Sequence, residues 1–248
     1  MTRTPEEFKE LFLDMIGKET HETPNLWGEY MRHHLAREGA KHFALEHTVF
    51  AANFPSWLAN ICGRTPHLDV RRYLIENMFV EEVKDPTIPV GHYESMVDFT
   101  EALGVDRDYI YDYKGTTITK MMIAYCEGVS RTKPWLEAFA AIAGNEVSRG
   151  TEMIKRYGEG VKSTRERWAP LNLPPEALLH WDAAVAADSS EGGHGDMPLE
   201  ILMKYADTNE KQEACIGALR ERKQVSRVHS DSVGRDAFAA SGLTPPAL

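Results

Sequence analysis

Only three cysteines occur in the 248 residues, Cys62, Cys126 and Cys215, and no two of them share metal-ligand spacing. So sparse and odd a count argues against a disulfide framework and for a reducing compartment. No apolar run approaches the ~20 residues that span a bilayer. The charged stretch from Met1 to Glu10 has no apolar segment of the signal-peptide kind. Positive charge is also short: 28 Lys and Arg stand against 38 Asp and Glu, a formal net charge of −10. With no basic stripe to follow a phosphate backbone, nucleic acid is not an expected partner. Gly-rich phosphate loops, a serine nucleophile elbow and the HExxH zinc string are all missing. Strand signals are confined to one short run, Tyr109 to Tyr113. The expectation is a cytoplasmic protein with no membrane partner.

Helical signals fill the rest. Thr4-Pro5-Glu6-Glu7 reads as an N-cap followed by proline and acids in the first turn, with Phe8, Leu11, Phe12 and Ile16 at helical spacing. Further helices are predicted from Leu26 to Glu38, ending near Gly39, and from Lys41 to Cys62 with a kink at Pro55. Asp69 caps a helix to Val83, and Asp85-Pro86 and Ile88-Pro89 break the chain before helix resumes at His92 and stops at Leu103-Gly104. The pattern continues over Thr116–Val129, from Pro134 through Glu146 to Tyr157, from Pro174 toward Glu191, over Leu199–Ala206, and from Asn209 to about His229. With short connections this predicts an all-α, single-domain bundle of about eight or nine helices: N-terminal helices over 1–34, a core bundle over 35–230 and a frayed tail over 240–248.

A metal site inside such a bundle needs carboxylates and imidazoles projecting inward from several helices, and hard ions such as iron take those oxygen and nitrogen donors. Three places qualify. Glu81-Glu82 follows the apolar stretch Tyr73 to Val80, and an antiparallel return would bring His92 beside one of them. Glu146 sits among small apolar residues, Phe139 to Gly144. Asp188, Glu191 and His194 flank two glycines; Glu191 and His194 have Glu-x-x-His spacing, although the local string by itself reads as a polar turn. Glu46-His47 reads as a helix-surface pair, His180 as a hydrogen-bonded core histidine, His33, His34 and His229 as surface residues, and Cys126 as a small buried residue.

Taken in order, these segments resemble the haem-oxygenase-like helical superfamily, which includes pyrroloquinoline-quinone synthases, TenA-type thiaminases, and non-haem iron oxidases. The resemblance runs from about Leu35 to Val228. It rests on Phe54-Pro55, on Arg71 to Asn77 leading to Glu81-Glu82, on His92 followed by Phe99 to Gly104, on Glu146, and on His194-Gly195 leading to Leu202–Thr208 and Glu210-Lys211-Gln212. It implies metal ligands at Glu82 or Glu81, His92 and Glu146, and a closing His-x3-Asp-x2-His triplet that is only partly kept. With His194 last, Glu191 replaces the Asp and Ala187 the first His; in the other frame Asp188 and Glu191 fill the last two places and Ala184 the first. Either way one histidine ligand is an alanine.

The implied function is a diiron or mono-iron oxidase or oxygenase that uses Fe(II), one or two ions, and O2 on a small organic substrate: an amino acid, a fatty acid or a modified aromatic. Tyr93, Tyr125, Trp135 and Arg149 are candidates to line its pocket, and a homodimer is the implied assembly. Two other readings stay open, a metal-free enzyme of the same fold and a non-catalytic helical binding protein.

Overall fold

The computed structural model describes residues 3–162, 164–188 and 193–248. Among these residues there are twelve α-helices and no strand, more helices than the eight or nine expected, because several runs that look continuous in sequence are divided. They are α1 (Pro5–Gly17), α2 (Leu26–His33), α3 (Arg37–Cys62), α4 (Leu68–Glu82), α5 (His92–Ala102), α6 (Arg107–Asp112), α7 (Thr117–Thr132), α8 (Trp135–Ile142), α9 (Thr151–Tyr157), α10 (Leu179–Asp188), α11 (Met197–Tyr205) and α12 (Asn209–Ala240). No helix among the described residues is long and apolar enough to cross a membrane.

Local chemistry sets the ends. Thr4 and Glu7 form a reciprocal capping box at the start of α1. The expected helix from Leu26 to Glu38 is cut at His33, because the Tyr30 hydroxyl takes the Ala36 N–H and a new helix begins at Arg37. The β-like run at Tyr109–Tyr113 belongs to α6 and the residue that ends it; Asp106 accepts the Tyr109 N–H, so a local cap overrides aromatic strand propensity. The long helix expected from Pro134 to Tyr157 is three pieces: α8, a 3-10 segment from Ala143 to Arg149, and α9.

Two long helices organise the molecule. α3 runs unbroken through Pro55 and packs on α4, α5 and α7. α12 packs along α2, α3 and α8, and it continues past His229 to Ala240. The main core unites Phe8, Phe12, Phe54, Trp57, Phe139 and Leu219 from these elements. A second aromatic cluster, with Phe99, Trp168 and Trp181, closes the other end of α5 and α10. Between the two lies a small cavity bounded by α3, α4, α5, the 3-10 segment and α10.

Candidate metal centre

The α4–α5 hairpin builds one half of the site. Gly91 closes it: a Cβ there would lie 2.8 Å from the Glu81 carbonyl oxygen and 2.9 Å from the Glu82 carbonyl carbon, so only glycine lets the returning chain pass this near α4. His92, the first residue of α5, therefore lands with Nδ1 3.0 Å from Glu81 Oε1 and Nε2 2.9 Å from Asp85 Oδ2. Asp85 is held in turn by the N–H and hydroxyl of Thr87. Burial disfavours the imidazolium of His92, but the hydrogen bonds to Asp85 and Glu81 outweigh it and lift its pKa to about 10. Burial likewise opposes ionisation of Asp85, and the bonds from His92 and Thr87 prevail, holding it at about 2.

The other half comes from the 3-10 segment and the end of α10. Glu146 is buried and accepts hydrogen bonds from the Tyr73 hydroxyl at 2.8 Å and from Asn77 Nδ2 at 3.1 Å. Asp188, also buried, is paired with Arg149 at 3.0 Å. The backbones of Gly150 and Gly195 touch, and a Cβ on Gly195 would lie 2.2 Å from the Asp188 carbonyl oxygen. Thr151 clamps the contact by donating its N–H and hydroxyl to Asp196. This approach brings His194 to Glu146 and Asp188, with one ligating atom from each lying within 4.8 Å of the others.

Glu81, His92, Glu146 and Asp188 line one cavity of about 70 Å³, together with His47, His180 and Ala184. Burial, then repulsion from Asp188 and Glu81, raises the Glu146 pKa well above the usual carboxylate range. Burial raises that of Asp188 too, against the pull of Arg149 and His194. Clustered buried carboxylates of this kind need a proton or a cation between them. The donors are all oxygen and imidazole nitrogen, the set that suits iron or manganese, and the ring nitrogen of His92 that faces Asp85 has the carboxylate partner that orients metal-bound histidines. The residues present therefore fit an iron ion.

The other sequence candidates fall as follows. Glu82 is exposed at the end of α4 and does not join the cluster; its neighbour Glu81 does. Glu191 lies outside the described residues. Ala184 and Asp188 line the cavity and Ala187 does not, while His194 lies beside Asp188, a pair that neither frame of the triplet contains. Of the four residues named for the pocket wall only Arg149 lines it; Tyr93 faces a separate hollow and Trp135 packs on His67 and Tyr205.

Several contributors were passed over. Glu46 and His47 do not form a surface pair: Glu46 is buried and takes the Tyr113 hydroxyl and the Thr116 N–H at the start of α7, while His47 lines the cavity. Desolvation, with Arg149 and His229 adding to it, pushes His47 down to about 3. His180 is the hydrogen-bonded core histidine expected, bonded to Ser95 and to the His92 carbonyl, and burial lowers its pKa well below the usual value. His229 is half-buried against the Thr119 hydroxyl. In the sequence Asp85 stands only as part of a chain break; its one signal is the Asp-Pro-Thr string, a turn in which Asp takes the N–H two residues on.

Residues 41–227 match the family model described as iron-containing redox enzyme. The chain belongs to that family, whose fold is haem-oxygenase-like. A curated relative, the pyrroloquinoline-quinone synthase of Rhizobium rhizogenes, is 28% identical over 159 residues, covering 63% of this chain and 59% of its own length. Among solved structures, a protein of Shewanella denitrificans described as a domain of unknown function with a heme oxygenase-like fold superposes with TM-score 0.69 at 15% identity, over 98% of this chain and 96% of the other. A TenA homologue of Pseudomonas syringae pv. tomato gives TM-score 0.66 at 14% identity, covering 90% and 91%. The structural likenesses, at such identities, speak to the fold alone.

Proposed function

We propose that this protein is an iron-dependent oxidase or oxygenase that uses O2 on a small organic molecule, with Glu81 and His92 holding iron at one side of the cavity and Glu146, Asp188 and His194 at the other. The observation that carries the reading is that Glu146 and Asp188 line one cavity with Glu81 and His92, and that half-buried His194 brings a ligating atom within 4.8 Å of both. Iron held by these residues would supply the redox chemistry that activates dioxygen. Asp85 fixes the imidazole of His92 so that its other nitrogen faces Glu81. Tyr73 and Asn77 hold the Glu146 carboxylate by its oxygens, and Arg149 holds Asp188. Phe50, Ala51 and Phe54 form the apolar wall of the cavity.

The test is anaerobic loading with Fe(II), desalting, and measurement of iron per chain, with Glu81→Ala, Glu146→Ala and Glu82→Ala alongside. Iron is expected near one or two per chain in the parent and in Glu82→Ala, and lost in the other two. Equal iron in all four proteins, or none in the parent, overturns the reading. A metal-free acid–base enzyme is the second reading, favoured by Ala184 at a place the family gives to histidine and by the burial that raises the Glu146 carboxyl well above its usual range; it gains if the parent retains no iron even with candidate substrates present.

A further inference from the structure

The central cavity, about 70 Å³, falls well below the roughly 300–1,000 Å³ of small-molecule sites. It can admit the reacting end of a substrate and not the whole of one. Beside it lies a much larger hollow of about 590 Å³, within the range of small-molecule sites. Asn145 and Arg149 line both spaces, so one wall separates them.

The charge of this hollow is opposite to that of the protein. The chain carries a formal −10, yet Arg32, Arg149, Arg167, Lys223 and Arg227 all line the hollow, with Glu19 the sole acid among its lining residues. Glu19 pairs with Arg227 at 2.6 Å, and Arg149 pairs with Asp188. Arg167 donates to the Gly160 carbonyl and has no carboxylate partner among the described residues. Lys223, in the middle of α12, is 6% exposed and has neither an ion pair nor a hydrogen bond among the described residues. Burial, followed by the nearby Arg222 and Arg149, pushes its pKa down to about 7. Glu19 attracts it without pairing with it, being already bound to Arg227, and a buried ammonium group with no direct partner is costly to keep. Two cationic groups without acids, in a hollow that opens beside the carboxylate–imidazole cluster, call for an anion from outside. The lining is nearly all polar, with Val161 its one aliphatic side chain, which disfavours a fatty-acid tail.

We propose that this hollow binds the acidic end of the substrate, a compact organic acid with two negative charges (a dicarboxylate or a phosphate monoester), with Lys223 and Arg167 as its anchoring cations and Arg149 on the wall next to the reacting centre. The inference deepens the oxidase reading and rests on it only for what happens at the far end of the molecule.

The test is isothermal titration calorimetry of the full chain with succinate and glycerol phosphate as dianions, and butyrate and decanoate as comparators, on the parent, Lys223→Met, Arg167→Gln and Glu146→Gln. One or both dianions should bind more tightly than the monoanions, and each cation variant should weaken that binding by about tenfold or more. Thermal unfolding reports whether each variant is folded, and Arg167→Gln carries the test if Lys223→Met is not. Binding by succinate alone or by glycerol phosphate alone tells which acid the hollow takes. Retained dianion binding in Glu146→Gln, with iron lost, would separate the two sites, as would unchanged iron content in Lys223→Met. No dianion binding at about 10 mM, tighter binding of decanoate, or undiminished binding in both folded cation variants overturns the proposal.

Discussion

The carboxylate cluster shows how far a single residue type can be read in isolation. Glu81 and Glu82 are chemically identical and adjacent, and only the position of His92 distinguishes them. Glu146 was legible because an acid among alanines and a glycine has few reasons to be there; Tyr73, which carries its strongest hydrogen bond, looked like one more apolar position of α4. Tyr73→Phe keeps the shape and removes the donor. Groups that orient ligands typically account for about ten- to a hundredfold in metal affinity, so the variant should fold normally and hold Fe(II) about tenfold more weakly in a competition with a chelator. Lys223 gives a prediction of opposite sign for stability. Its folded pKa, about 7, lies below the ordinary lysine value near 10.4. Between those two pH values the unfolded chain binds a proton that the folded chain does not, so this group makes stability rise with pH across that window, and below about pH 7 its full penalty is present. Lys223→Met should flatten the rise and stabilise the protein at pH 7 by about 1–3 kcal/mol. Denaturant unfolding at pH 7 and pH 9 checks it; an equal loss of stability at both would show that the lysine is an ordinary packing residue.

At the scale of the element, the decisive features are the joints. Helix periodicity located α1, α3, α4 and α5, because each stops at a glycine, a cap or a proline-bearing break; Asp69, expected to cap α4, lies instead in its first turn and accepts hydrogen bonds from Lys204 and Tyr205. It could not locate the contact of Gly150 with Gly195, since two glycines far apart in sequence carry no sign that they meet. The string from Asp188 to His194 reads as a turn, and its described end, His194 to Asp196, is one; what makes His194 part of a site is the 3-10 segment that ends against Gly195. Gly91 plays the same part for His92. At both places an added methyl group meets backbone, which has no rotamer to escape into. Gly91→Ala should cost about 1–3 kcal/mol by overpacking, a fall of about 2–12 °C in melting temperature for a chain of this size. Because the strain falls between Glu81 and His92, iron retention should drop with it. A variant with the lowered melting temperature but full iron content would show that the hairpin tolerates opening without moving its ligands.

For the whole molecule, the scaffold and the site are separable, and the far end of α12 is where that can be shown. Nothing in the run Ser230-Asp231-Ser232-Val233-Gly234-Arg235-Asp236 announces a helix, and the pattern ended for that reason near His229. The helix continues because α2 lies against it. Gly234 meets the backbone of Leu26 and Trp27, Asp231 accepts the Leu26 N–H, and Phe238 packs edge-on against Tyr30 at 5.2 Å. Tertiary packing thus overrides a weak propensity, and the N-terminal helices are bound to the bundle by a segment that the sequence pattern leaves out of it. Phe238 is 1% exposed, and its removal should cost about 3–4 kcal/mol, or about 6–16 °C in melting temperature. None of the residues around the carboxylate–imidazole cavity belongs to this packing group. Phe238→Ala should therefore melt early and still retain the parent's iron, the reverse of Tyr73→Phe, which should melt normally and lose affinity for it. If Phe238→Ala lost iron in proportion to its stability, the centre would depend on the whole bundle being closed, and α12 would be acting on the site through Lys223 and the basic hollow that lies between them.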